Sequence, residues 1–257
     1  MTLRAFRLRG AGAAAALDWL HVRAAVRGAV EHADSDVVVW LDEAPPALPF
    51  AVAVTELPAD VANATATGLE DDAPIQVAGD LLVRPPWVAR PAGFDGVELV
   101  VPRGMAFGSG EHDSTQAALL AVHRAWCDPP SFADVGTGSG ILMAYARARG
   151  CAQIAGCDIE PPAVAAARAL VPAAAVTLGG PATLAGAFDF VVANLTAAEL
   201  HAALPDVLAR WTRRAPLVLS GMRDGEVEAV HARLPAPAAA LRRGAFTALT
   251  CPATRPD

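Results

Sequence analysis

Apolar residues recur along this chain in two rhythms, and the change between them falls near residue 74. Beyond that point, short apolar runs at 132–135, 153–157, 175–178, 188–193 and 216–220 read as strands. They alternate with helical stretches at 141–149, 162–170, 197–210 and 225–233, and one more helix is expected at 115–127. Runs with little polar alternation suit strands buried on both faces. Strands alternating with helices imply a parallel sheet between two helical layers. The tail departs from this pattern: 239–242 and 245–251 flank Arg243-Gly244 and read as an antiparallel hairpin. The first 57 residues read as a small α+β unit. A strand is expected at 3–8, a helix at 13–27, a hairpin of 28–32 and 36–41 around Ala33-Asp34-Ser35, and a further pairing segment at 50–55. Between the two rhythms, 58–73 is rich in Ala, Asp, Thr and Asn and reads as a linker, which leaves 74–257 as the α/β domain.

Composition narrows the function classes. Of 257 residues, 54% are hydrophobic and only 18% charged, which excludes a disordered chain. The net charge is −7, and the 20 basic residues are all arginine. An acidic chain lacks the broad basic footprint of a nucleic-acid binder, so no direct nucleic-acid partner is expected. No stretch approaches the roughly 20 apolar residues that span a bilayer, so no membrane partner is expected either. Arg4, Arg7 and Arg9 ahead of the alanines at 13–16 faintly mimic a secretory leader, but the apolar run is short and Asp18 interrupts it. Cys127, Cys151, Cys157 and Cys251 form no CxxC pair, so a metal site is not expected. Free thiols in a reducing cytoplasm are therefore expected.

The strongest chemical signal is Asp134-Val135-Gly136-Thr137-Gly138-Ser139-Gly140, between a strand and a helix. Glycines let such a turn approach a ligand closely, and the helix that follows points its N–H groups at it. A dinucleotide fingerprint needs a third glycine at position 141, where this chain has Ile. Asp134 would repel a pyrophosphate but not an ammonium or a sulfonium, which favours S-adenosylmethionine. A plain glycine-rich turn is the alternative. Asp158 closes the next strand, 22 residues after Gly136, where a carboxylate reaches ribose hydroxyls. Glu160 competes for that role, but stands before Pro161-Pro162 as a helix-start acid. Asn194 ends a buried strand and can accept a hydrogen bond from a substrate amine, or can simply cap the next helix. Leu195-Thr196 follow it, with no aromatic to stack on a flipped base, which argues against a nucleobase substrate.

Ahead of these motifs stands Arg103-Gly104-Met105-Ala106-Phe107-Gly108-Ser109-Gly110-Glu111-His112-Asp113-Ser114-Thr115. This stretch resembles the PrmA family, the methyltransferases of large-subunit ribosomal protein eleven. The resemblance continues through 134–140, 156–160, 193–195 and Leu219-Ser220-Gly221-Met222. It implies a Rossmann-like, seven-stranded class I methyltransferase sheet with an antiparallel C-terminal hairpin. It also implies transfer of methyl groups from S-adenosylmethionine to lysine side chains and the N-terminal amine of that ribosomal protein, by a cytoplasmic monomer. Phe107 and Asn194 would act at the transferred methyl. Gly108, Ser109, Gly110, Asp134, Gly136, Thr137, Gly138, Gly140, Asp158, Ile159 and Asn194 would hold the cofactor. Residues 1–57 are similar in size and rhythm to the substrate-recognition domain of the shorter members. His112, between Glu111 and Asp113, is read as ordering the loop rather than as a base, with Asp113 or Ser114 as the cap of the following helix. Two departures matter. Arg103 replaces the family's proline, and 179–183 lacks the polar or acidic residue that often meets the adenine amine. Another protein or a small molecule as substrate, or a non-catalytic relative, are the alternatives.

Overall fold

The computed structural model describes residues 4–24, 26–33, 35–57, 73–102 and 107–254. The expected linker therefore lies outside the described residues except for Ala73, as do 103–106 of the first motif. The chain forms two compact units, 1–73 with 86–89, and 74–85 with 90–257.

The first unit contains β1 (Arg4–Arg9), α1 (Ala13–Arg23), β2 (Val26–Ala33), β3 (Asp36–Leu41) and β4 (Ala53–Leu57). The strands form an antiparallel sheet in the order β2-β3-β1-β4. Ala13, Ala16, Leu17 and Leu20 recur at helical spacing. They form one stripe of α1 that packs on Phe6, Leu8, Val37, Val39 and Leu41. The helix stops at Arg23, short of the expected 27, because Ala24 is already extended (φ −131°, ψ 159°) and β-branched Val26 enters β2. The three leading arginines are tied into this unit: Arg4 pairs with Glu56 at 2.6 Å, and Arg7 and Arg9 with Asp36 at 2.7 and 3.3 Å.

The second unit opens with β5 (Ile75–Ala78), β6 (Leu81–Arg84) and β7 (Val97–Val100), a three-stranded sheet not expected from the sequence pattern. It continues with α2 (Asp113–Ala125), β8 (Ser131–Val135), α3 (Ile141–Ala148), β9 (Gln153–Asp158), α4 (Pro161–Leu170) and β10 (Ala175–Leu178). Then follow β11 (Phe190–Asn194), α5 (Ala197–Ala209), β12 (Leu217–Arg223), α6 (Val227–His231), β13 (Ala239–Arg243) and β14 (Phe246–Cys251). These form a seven-stranded sheet in the order β10-β9-β8-β11-β12-β14-β13. The first five strands are parallel, and β14 runs antiparallel to both of its neighbours. The parallel sheet ending in a hairpin is therefore as the sequence pattern indicated.

Alternation along the central strands divides two cores. Phe132, Phe190, Val192 and Val218 face α2, α3 and α4. Ala133, Val135, Val191, Ala193, Leu217 and Leu219 face α5 and α6. The rings of Phe132 and Phe190 stack at 5.5 Å, and Trp126 packs on both. At the strand entrances, buried Asp189 accepts from Ser131 Oγ at 3.0 Å and from Thr212 Oγ1 at 2.7 Å. From β8 the chain moves outward one way through β9 and β10, then returns to place β11 and β12 on the other side. The carboxyl ends of β8 and β11 thus flank a crevice where ligands bind in open α/β sheets.

Candidate functional site

The crevice is a cavity of about 770 Å³. Gly136 and Gly138 form its floor, Asp158, Ile159 and Glu160 one side, and Gly179, Gly180 and Pro181 the wall beyond. Asn194, Leu195, Thr196 and Glu199 line the β11 side. Phe107, His112, Gly221, Arg223, Glu226 and Phe246 close the remainder.

The glycine loop is shaped by close approach as well as by dihedral angle. Gly136 has φ +71°, and a Cβ there would run into the Leu195 side chain. Gly138 has φ +52°, and a Cβ there would meet the Phe107 carbonyl oxygen. Only glycine accommodates both constraints. The Gly138 N–H donates to Asp158 Oδ2 at 2.9 Å, and the Glu160 N–H to Asp158 Oδ1 at 3.0 Å. Asp158 therefore fixes the loop while its carboxylate lines the cavity, with acceptor capacity left on both oxygens. Ser139 ties the first motif to the same loop. Its N–H donates to the Phe107 carbonyl and its Oγ to the Gly108 carbonyl, both at 2.7 Å.

Asp134 stands behind the lining. It is fully buried, and its Oδ2 accepts from Thr137 Oγ1 at 2.9 Å. Its Oδ1 has no hydrogen-bond partner among the described residues. Burial pushes its carboxyl up to about 7; the Thr137 hydroxyl opposes the shift and the nearby Asp158 charge adds to it. Cys157 belongs to the lining but is almost wholly buried, and burial pushes its thiol up to about 12, which keeps it protonated.

Asn194 ends β11 opposite Ser220 of β12. Its Oδ1 is buried and has no hydrogen-bond partner among the described residues. The capping role goes elsewhere: Thr196 and Glu199 form a reciprocal capping box at the start of α5. Asn194 is thus free of the structural duty that its position at a strand end suggests. At α2 the cap is His112, rather than Asp113 or Ser114. Its Nδ1 accepts from the Ser114 N–H at 3.3 Å, so an imidazole nitrogen takes the part a hydroxyl usually plays. The His112 ring lies edge-on between Phe107 at 5.2 Å and Phe246 at 4.7 Å. These contacts join the start of α2 to the Phe107 loop.

Among the residues singled out from sequence, Phe107, Gly136, Gly138, Asp158, Ile159 and Asn194 meet around the cavity. Phe107 is 55% exposed and Ile159 71%, large apolar side chains held open to the cavity instead of buried. Gly108, Ser109, Gly110, Asp134, Thr137 and Gly140 are not in the lining. They support it from behind, apart from Ser109, which donates to Glu111 Oε2 at 2.9 Å. Sequence reasoning passed over Ser139, Arg223 and Phe246. Ser139 stood inside a recognised motif, but nothing local signals a serine whose partners are 31 and 32 positions away.

The family profile described as "Ribosomal protein L11 methyltransferase (PrmA)" matches residues 60–241. The chain belongs to the PrmA family. A ribosomal protein L11 methyltransferase of Dechloromonas aromatica is 33% identical over 223 residues, covering 83% of this chain and 73% of that protein. One from Syntrophotalea carbinolica is 35% identical over 164 residues, 60% of this chain and 53% of that protein. The chain spans about half the length of most of the curated relatives it matches. The solved ribosomal protein L11 methylase of Lactobacillus delbrueckii subsp. bulgaricus superposes with a TM-score of 0.62 at 26% identity, covering 69% of this chain and 95% of that one. PrmA proteins share the class I S-adenosylmethionine-dependent methyltransferase fold, and the strand order above is that fold. Among the described residues of this PrmA chain, no helix is long and apolar enough to cross a membrane.

Proposed function

We propose that this protein transfers methyl groups from S-adenosylmethionine to amines of a large-subunit ribosomal protein, at lysine side chains and the N-terminal amine. The observation that carries the reading is the buried Oδ1 of Asn194, without a hydrogen-bond partner among the described residues, in a cavity floored by a glycine loop and sided by Asp158. The residues present fit the donor. Asp158 would accept from the ribose hydroxyls. Gly136, Gly138 and the loop behind them, with Gly108, Ser109, Gly110, Thr137 and Gly140, would hold the amino-acid end. Buried Asp134 would favour its positive charge, and exposed Ile159 would pack on the base. When bound, S-adenosylmethionine supplies an electrophilic methyl on a sulfonium.

The chain's own residues do the rest. Asn194 Oδ1 accepts an N–H of the substrate amine and keeps the nitrogen lone pair directed inward. Phe107 and Phe246 exclude water, and desolvation lowers the amine's affinity for its proton. An α-amine starts near ~7.7–8.0 and a lysine near ~10.4, so the N-terminal amine needs less help. Among the described residues, the lining carries Asp158, Glu160, Glu199 and Glu226 against a single arginine, Arg223, which favours a cationic partner. The four cysteines are free. That supports a cytoplasmic setting, and the reading takes the protein as a monomer. In this reading 1–57 recognises substrate, 58–73 links, and 74–257 carries the chemistry.

The test is incubation with methyl-labelled donor and purified ribosomal protein. Label in lysine and N-terminal amines, lost in Asn194→Ala, is the expected result. Label entering only small molecules or unrelated proteins overturns the substrate assignment.

A further inference from the structure

Arg210 follows α5 and spreads its guanidinium over three backbone carbonyls. Nε donates to the Pro181 carbonyl at 3.1 Å, Nη2 to Ala182 at 2.9 Å and Nη1 to Gly186 at 3.3 Å. Its own carbonyl accepts from the Phe188 N–H at 2.7 Å. All its side-chain hydrogen bonds among the described residues end on main-chain oxygens of one loop.

That loop begins as a wall of the cavity, at Gly179, Gly180 and Pro181. It adjoins Asp158: Leu178 pairs with Asp158 across β10 and β9, and the Gly179 N–H donates to the Asp158 carbonyl at 2.8 Å. A nucleoside whose ribose meets Asp158 would therefore place its base against this wall. The wall has no charged side chain, and the Thr183 hydroxyl is taken by Thr177 Oγ1 at 2.9 Å and the Gly180 carbonyl at 2.8 Å. Recognition there has to come from backbone shape, and a five-donor planar cation is what fixes that backbone.

We propose that Arg210 is the positioning residue of the base-side wall and sets affinity for the adenosyl end of the ligand. This rests on the methyl-donor reading above. Arg210 touches no reacting atom, so it acts on binding and not on transfer.

Calorimetry with S-adenosylhomocysteine and with 5′-methylthioadenosine, which keeps the nucleoside and lacks the amino acid, separates the possibilities. Arg210→Ala should weaken both ligands by the same factor, about tenfold. Arg210→Lys, a point charge without the fork, should fall between, and Arg214→Ala should change neither. The KM for donor should rise with kcat at saturating donor unchanged. In the unliganded Arg210→Ala protein, amides 182–186 should exchange faster while those of β8 and β11 keep their protection. Wild-type protein that binds both ligands while Arg210→Ala binds them equally well overturns the clasp alone. So does a loss confined to S-adenosylhomocysteine, which would place the damage at the amino-acid end. Wild-type protein that binds neither ligand overturns the donor reading and this inference with it.

Discussion

Asp134 shows how a single side chain couples stability to ligand charge. Its carboxyl is raised from 3.8 to about 7, chiefly because burial penalises the charged form. The folded state thus binds this proton more tightly than the unfolded chain does. The group's contribution to stability is complete below about pH 4 and is lost as pH rises through about 7. A neutral replacement removes that liability. Asp134→Asn should raise the melting temperature of the unliganded protein at pH 8 and leave it nearly unchanged at pH 4, while S-adenosylhomocysteine loses affinity for it. Binding of the cationic donor should also release a proton from the wild type at pH 6, visible as a calorimetric enthalpy that depends on the buffer. A binding enthalpy that is the same in every buffer would show that the charge of Asp134 is not felt by the ligand.

At the level of elements, helix α5 leans on its capping box. Thr196 Oγ1 accepts from the Glu199 N–H at 3.4 Å, and Glu199 Oε2 accepts from the Thr196 N–H at 2.9 Å. Thr196→Ala should cost about 1 kcal/mol in urea denaturation. Adding Glu199→Ala should cost less than the sum of the two single changes, since each residue's bond depends on the other. Additive losses would show that the box is not a unit. The same contrast between local and distant partners explains what the sequence could reveal. The long strands and helices of the seven-stranded sheet were legible because apolar runs and periodic stripes repeat within each element. The glycine loop was legible because its spacing is compact. The sheet of β5, β6 and β7 was not: its four-residue strands stand outside the strand–helix alternation that marks β10, and prolines crowd the connection between β6 and β7. His112 as a cap, Ser139 as a tie between loops and Arg210 as a clasp all depend on partners brought together only by folding.

Among the described residues, each of the two units carries apolar clusters of its own. Phe6, Leu8, Leu17 and Val39 belong to one cluster, while every residue of the two larger clusters lies beyond position 74. Calorimetric unfolding should therefore resolve two transitions. Only the one from the second unit should rise with S-adenosylhomocysteine, by about 2.7 kcal/mol of added stability at a hundredfold excess over Kd. A single transition that moves as one would show that the units unfold together. The second unit also carries a constraint on its own synthesis. β14 follows all its companions in chain order, yet sits inside the sheet between β12 and β13 and brings Phe246 to the cavity. A nascent chain leaving the ribosome thus holds an open-sided sheet and a cleft short of one wall. Until β14 slots between its two neighbours, the Phe246 side of that cleft stands open.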